Sequence, residues 1–256
     1  MESYSYDGSF ESLISLCARL ILKKIEPDEI VSSEKAEESL FNNINLEFDQ
    51  NLYERLSYKL EKTSQNAFIH ICLAFLSEIS GAEMIIYNYI RTALEIDRNS
   101  ELSSKKEKED YLENYTDDSV KKIKDLSRKV NVERHRFLGL LRFSELSDGT
   151  LYSQYEPDHN ITVLVAPHFK KRIPKENWII HDLSRGIGAV YDSNRKEYII
   201  CGLQNDSDIM FSGEETVFRN IWQRYWKEIA ITERKNPRCQ KNFMPKRYWK
   251  HLTEKM

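Results

Sequence analysis

The sequence predicts an α+β protein, with a helical N-terminal half packed on a mainly antiparallel sheet and closed by a C-terminal amphipathic helix and an ordered tail. Three observations lead there. Apolar residues recur at helical spacing through Phe10, Leu13, Ile14, Cys17 and Leu20, and again from Leu52 to Leu94. Short strand-like runs separated by polar turns then occupy the stretch from Arg136 to Gly202. Finally, Glu214 to Ile231 places Ile221, Trp222, Tyr225, Trp226 and Ile229 on one helical arc and Arg219, Gln223, Arg224 and Lys227 on the other.

Taken in order, "SYSYDG" reads as a short strand ending at the turn signal Asp7-Gly8, and Ser9 is placed to cap the first helix. Residues 26–50 are acidic and weakly periodic, a linker with short strand or helix pieces. The next helical stretch is broken at "SGAE", where Ser80 is the expected cap, with Glu83 three residues on. Residues 97–117 read as a charged loop or solvated helix. A helix resumes at Asp118 and delivers Glu133, Arg134 and His135. "RFLGLLRFSELSDGTLYSQYEPD" reads as a hairpin turning at Asp148-Gly149. "HNITVLVAPHFKKRIPKE" reads as a helix that Pro167 bends or restarts. Three strands follow, Trp178–Asp182, Ile187–Tyr191 and Glu197–Gly202. No repeat is present, so residues 1–256 are expected to form one domain with a helical part (1–130) and a β-rich part (131–256).

Composition narrows the function classes. With 40% apolar and 31% charged residues in 256, the chain has a globular composition with ample length for a core. The net charge of −3 names no partner, but it is unevenly spread. From Phe218 onward there are eleven Lys/Arg and three Glu, a local +8 that leaves −11 for the rest. Cys17, Cys72, Cys201 and Cys239 lie far apart with no C-x-x-C pair, which fits free thiols in a reducing cytoplasm and excludes an iron–sulfur cluster of the radical-SAM kind. The N-terminus has no signal-peptide pattern, and no apolar run is long enough to span a membrane.

Polar residues suited to acid/base or metal chemistry gather in the β half: Glu133, His135, Arg142, Glu156, Asp158, His159, His168, His181, Asp182 and Arg185. Zinc spacing is absent, and His181 and Asp182, as neighbours on a strand, should face opposite sides. "SRGIGAV" lacks the third glycine and the helix of a dinucleotide fingerprint, and no phosphate loop or nucleophile elbow occurs. Neither a cofactor nor a metal is expected. The basic end carries more: Arg234, Lys235, Arg238, Lys241, Lys246, Arg247 and Lys250 interleave with Phe243, Tyr248 and Trp249. Cations there would neutralise phosphates, and the aromatic rings would either stack on bases or anchor the tail to the core.

"YSYDGSFESLI", "AFLSEISGAE", "ERHRFLGLLRFSEL", "LYSQYEPDHNI", "LVAPHFKKR", "NWIIHDLSRGIGAVYD" and "WQRYWKEIAITERKNPRCQKNFMPKRYWKHLTE" together resemble a bacterial family labelled as probable DNA metabolism or DNA repair proteins. The likeness runs in order along essentially the whole chain. It departs at Ser153, where relatives often have Ala, and in a longer charged insert near 97–117. The resemblance implies association with a radical-SAM DNA modification or repair protein encoded nearby, and in some relatives fusion to a uracil-DNA-glycosylase-like domain. It supplies no catalytic residue.

The leading expectation is a cytoplasmic DNA-binding accessory protein. Arg234, Lys235, Arg238, Lys246 and Arg247 would contact phosphates, Tyr248 and Trp249 would be available to bases, and Arg172 and Arg185 would line the adjoining surface beside His168 and His181. Two alternatives remain open. One is a nuclease- or glycosylase-like enzyme using Glu156, His168, His181 and Asp182. The other is an interaction scaffold without nucleic-acid affinity.

Overall fold

Strand β1 (Glu2–Tyr6) is followed at once by helix α1 (Phe10–Lys23), and the switch is made by the side chains between them. Asp7 accepts from the Ser9 N–H at 2.8 Å, Gly8 takes φ +90°, and Ser9 caps α1 through the Ser12 N–H at 3.2 Å. The computed structural model describes residues 2–36, 42–98, 104–114, 117–204 and 210–255. Helix makes up 56% of the chain and strand 16%, with the helices concentrated in the N-terminal half and a mixed sheet in the C-terminal half, so the α+β class holds. The chain divides into two compact units, Met1–Asn131 and Val132–Met256.

In the first unit, β2 (Glu29–Ser32), the short α2 (Ser33–Ala36) and β3 (Asn42–Asn45) come from the segment read as a linker. β2 and β3 flank β1, both parallel to it, in the order β2-β1-β3. Strands this short and weakly periodic are stabilised by the pairing they find, not by their own pattern. Helices α3 (Gln50–Thr63), α4 (Gln65–Leu76), α5 (Ala82–Arg98) and α6 (Lys105–Leu112) build the rest, around a core that includes Leu13, Leu20, Leu60, Ile71, Ile86 and Ile90. The break at "SGAE" is real, but α5 starts at Ala82 and the Ile85 N–H bonds to the Gly81 carbonyl, so Ser80 sits one residue too early to cap it. Part of the charged segment 97–117 is helical: α6 opens with a capping box, Ser104 with Glu107.

Helix α7 (Asp118–Leu140) crosses the division between the units, and Asp117 caps it through the Ser119 and Val120 N–H groups. It consumes "RFLGL", read above as strand, because Val130, Glu133 and Phe137 continue a buried helical stripe. What remains of the hairpin is β4 (Ser144–Glu145) against β5 (Leu151–Tyr155), turning at Gly149, φ +84°. Helix α8 (Thr162–Arg172) tolerates Pro167 on its exposed side, and then come β6 (Trp178–Asp182), β7 (Ile187–Asp192) and β8 (Glu197–Gly202). The sheet order is β4-β5-β6-β7-β8; three pairings are antiparallel, and β5 runs parallel to β6 because α8 carries the chain back between them. α8 packs on β6, β7 and β8, while Trp178 stacks on Tyr191 across the pair at 5.0 Å.

The C-terminal region comprises α9 (Glu215–Glu228), a 3-10 turn (Thr232–Arg234), α10 (Pro237–Phe243) and a second 3-10 turn (Lys246–His251). α9 is amphipathic as expected but docks the other way round. Its polar stripe makes the anchoring bonds: Glu215 accepts from the Glu145 N–H (3.0 Å) and from Arg219 (2.7 Å), Arg219 donates to the Ser144 hydroxyl, and Gln223 donates to the Thr253 carbonyl. Phe218 (55% exposed), Ile221 (57%) and Tyr225 (51%) face solvent.

Candidate nucleic-acid interface

The motif "YEPDHN" leaves the end of β5 as a loop, and this loop is where the β half and the basic tail meet. Glu133 of α7 is the organising group. It is buried, and its carboxylate accepts the N–H groups of Asp158 (2.9 Å) and His159 (2.8 Å) and the hydroxyl of Tyr248 (2.5 Å). Two backbone donors and a phenol compensate the burial of the carboxylate. Burial and the neighbouring Glu133 push the Tyr248 phenol up, so it stays a donor.

The other partners come from β6 and the tail. Asp182 is fully buried, and accepts the Ser184 N–H (3.0 Å) and the Arg185 guanidinium (3.0 Å). Arg185 also donates to the carbonyls of Pro157 (3.2 Å) and Asp158 (3.0 Å). Burial raises the Asp182 carboxyl, and Arg185 opposes that rise. Arg247 pairs with Asp158 and lies 4.6 Å over the Tyr248 ring. Glu156 meets Lys250 at 2.5 Å and His251 at 3.3 Å, and Lys250 above all holds its carboxyl below the usual range.

These bonds decide the roles of several residues picked out from the sequence. Arg185 serves the fold: its guanidinium is spent on Asp182 and two carbonyls. Tyr248 is packed against Phe137 (4.6 Å) and only 1% exposed, which leaves no face for a base. Trp249 donates to the Met244 carbonyl, and the ammonium groups of Lys246 and Lys255 lie 5.9 Å and 4.7 Å from its ring centroid. Arg247 is half spent, paired with Asp158 at the surface. Arg172, Arg234, Lys235, Arg238 and Lys246 are exposed, and none has a carboxylate partner among the described residues.

Three of the four acid/base candidates end in separate partnerships, and His168 has its Nε2 buried without a hydrogen-bond partner among the described residues. His181 and Asp182 do face opposite sides of β6: His181 bonds the Tyr152 hydroxyl through Nδ1 (2.8 Å), while Asp182 turns to Arg185. Burial lowers the His181 pKa, which favours the neutral ring. Glu156 is tied to the tail, and His168 lies edge-on to Phe169 of its own helix. No hydrogen bond or ion pair joins any two of the four. Among the described residues, no group of three His, Cys, Asp or Glu is arranged to hold a metal ion.

One feature escaped the sequence reading. A cleft of about 590 Å³ lies between the end of α9, the first 3-10 turn, α10 and the C-terminal residues. Trp226, Ile229, Ile231, Arg234, Lys235 and Lys255 are among its lining residues, which, among the described residues, include three cations and no Asp or Glu. The sequence puts Trp226 on the apolar arc of its helix. The inverted docking of α9 and the bend after Glu228 bring it to the cleft, and neither is encoded in local periodicity. The "YDGSF" turn has a structural role in capping α1, and Tyr6 and Gly8 also line a separate 360 Å³ pocket with Glu34, Glu78 and Glu83.

The fold and this knot of loop and tail define an α+β protein whose C-terminal unit is a mixed sheet laced to a basic tail. The chain belongs to the family DUF4130, a domain of unknown function, which it matches over residues 80–254. The match contains α7, the "YEPDHN" loop and nearly the whole tail. Neither a curated protein nor a solved structure matches the chain. No helix among the described residues is long and apolar enough to cross a membrane.

Proposed function

We propose that this protein is a DNA-binding accessory protein of DNA repair or modification, gripping nucleic acid through the face of its C-terminal region that carries Arg234, Lys235, Arg238 and Lys246. One observation carries the reading: among the described residues, the cleft beside α9 is lined by Arg234, Lys235 and Lys255 without an Asp or Glu. Cations held apart from counter-charges favour a polyanion, because binding releases the ions condensed on its phosphates. The local charge of +8 in an otherwise acidic chain points the same way. The resemblance to DNA-metabolism proteins supplies the setting, with a radical-SAM protein as the working partner. An enzyme reading has less support, since Glu156, His181 and Asp182 are engaged with Lys250, Tyr152 and Arg185.

Fluorescence anisotropy with labelled single-stranded and duplex DNA tests the reading. Binding is expected at low salt, falling as salt rises, and the double variant Arg234→Ala/Lys235→Ala should shrink the log–log salt slope by about 1.5 to 2. Absence of binding to both DNA forms at low salt would overturn it.

A further inference from the structure

Resting on that reading, we infer that the cleft beside α9 receives an unpaired nucleotide, its base stacked on Trp226 and its flanking phosphates held by Arg234 and Lys235. Three features of the cleft combine here. Its volume of about 590 Å³ lies within the roughly 300–1,000 Å³ of sites that enclose a small molecule. Trp226 is half-buried in its wall, and Lys255 sits 5.6 Å from the ring centroid. The same ammonium lies 4.7 Å from Trp249, so one cation braces both indoles and holds the Trp226 ring in place. Ile229 and Ile231, each about half exposed, add apolar wall next to the cations.

An apolar and aromatic wall beside unpaired cations matches the two halves of a nucleotide, a flat base and a charged phosphate. A base inside a duplex offers neither of its faces, since both are stacked on neighbours, so the occupant is an unpaired nucleotide. An acidic peptide would use the cations but leave Trp226 without a stacking partner. Of the tail's other aromatic rings, Tyr248 is buried against Phe137, and neither Trp249 nor the exposed Phe243 is among the described residues that line the cleft.

The test uses the full chain and an oligo(dT) single strand, with a duplex of equal length alongside. Oligo(dT) is expected to bind more tightly than the duplex and to quench tryptophan fluorescence. Trp226→Ala should weaken oligo(dT) binding by about 5- to 150-fold, the worth of one stacked base, and leave duplex binding unchanged. Trp226→Phe should restore most of the loss, which separates stacking from misfolding. In the unmodified protein, photo-crosslinking with 5-bromodeoxyuridine in the strand should map to the peptide containing Trp226. If Trp226→Ala and the crosslink both ignore Trp226 while Arg234→Ala/Lys235→Ala still weakens binding, the stacking site is wrong and the DNA-binding reading stands. If no nucleic acid binds at low salt, both fall.

Discussion

Tyr248, eight residues from the C-terminus, donates its phenolic hydrogen to Glu133 of α7 across 2.5 Å. The bond spans 115 residues of sequence and makes the tail part of the fold. Glu133 is also the acceptor for two N–H groups of the "YEPDHN" loop, so a single carboxylate aligns helix, loop and tail. Tyr248→Phe is expected to cost about 1.5–3 kcal/mol, the worth of a hydrogen bond to a charged group. Glu133→Ala should cost more, because two part-buried N–H groups and the buried Tyr248 hydroxyl lose their acceptor. Denaturant titration of the variants reads both. Equal stability of Tyr248→Phe and the parent would remove Glu133 from this role.

The docking of α9 predicts an unusual mutational pattern. On a helix buried by its apolar face, Ile221→Lys would be damaging. Here Ile221 points to solvent, and the change should move stability by less than about 0.5 kcal/mol. Glu215→Ala should cost about 1–3 kcal/mol, since it strips the Glu145 N–H and the Arg219 guanidinium of their acceptor. Thermal melts of the two variants decide it, and the reverse order would mean that α9 packs through its apolar arc.

Glycine is required at 188 for reasons of space. A Cβ there would lie 2.2 Å from Leu203 Cδ1 and 3.0 Å from the Ile180 carbonyl oxygen. Gly188→Ala is expected to destabilise by about 1–3 kcal/mol, the usual cost of overpacking. A lowered denaturation midpoint is the readout. The G-x-G of "SRGIGAV" is thus explained by a turn at Gly186 (φ +60°) and a crowded strand position at Gly188, with no dinucleotide involved.

Acid should loosen the tail in two steps of the same sign. The buried ring of His251 has a lowered pKa, so its contribution to stability is present above the unfolded histidine value near 6.5 and is lost as pH falls through the lower folded value. Glu156 is lowered chiefly by Lys250, so its contribution is present above the unfolded carboxyl value near 4.5 and is lost as pH falls further. Stability followed from pH 7.5 to 3 should decline throughout, and Lys250→Met should flatten the lower part of the decline. An unchanged acid limb in Lys250→Met would rule out the Glu156 pair as its source.

Arg185 and Arg238 should separate structure from binding. Arg185→Ala leaves Asp182 buried without its cation and should cost about 3–5 kcal/mol of stability. Arg238 is exposed without a carboxylate partner among the described residues, so Arg238→Ala should leave the melting temperature unchanged and reduce the salt slope of DNA binding by about 1. A stable Arg185→Ala with weakened DNA binding would reverse the two assignments.

Local signals in the sequence were enough for the elements whose pattern repeats. β6, β7 and β8, the Ser9 cap and the start of α7 follow from period, turn residues and capping chemistry, all of which act within a few residues. The parallel sheet of β1, β2 and β3 was not legible, because its flanking strands have little pattern of their own and depend on partners up to forty residues away. The site was legible only as a list of residue types. Arg185, Arg234 and Tyr248 looked alike as candidates, yet burial assigns Arg185 and Tyr248 to the fold and leaves Arg234 at the surface.

The sequence by itself determined the α+β class, the uneven charge, the opposite facing of His181 and Asp182 and the match to the DUF4130 domain of unknown function. Tertiary structure alone decided which charges are spent. Whether a cationic group is free depends on what the rest of the chain brings within about 3 Å of it, and for Arg185, Arg247 and Lys250 the partners come from distant segments or from the adjoining strand β6. It also turned the polar side of α9 inward, which exposed the apolar arc and brought Trp226 to the basic cleft. Periodicity can say that a helix has two faces; only the partners available to each face decide which one is buried.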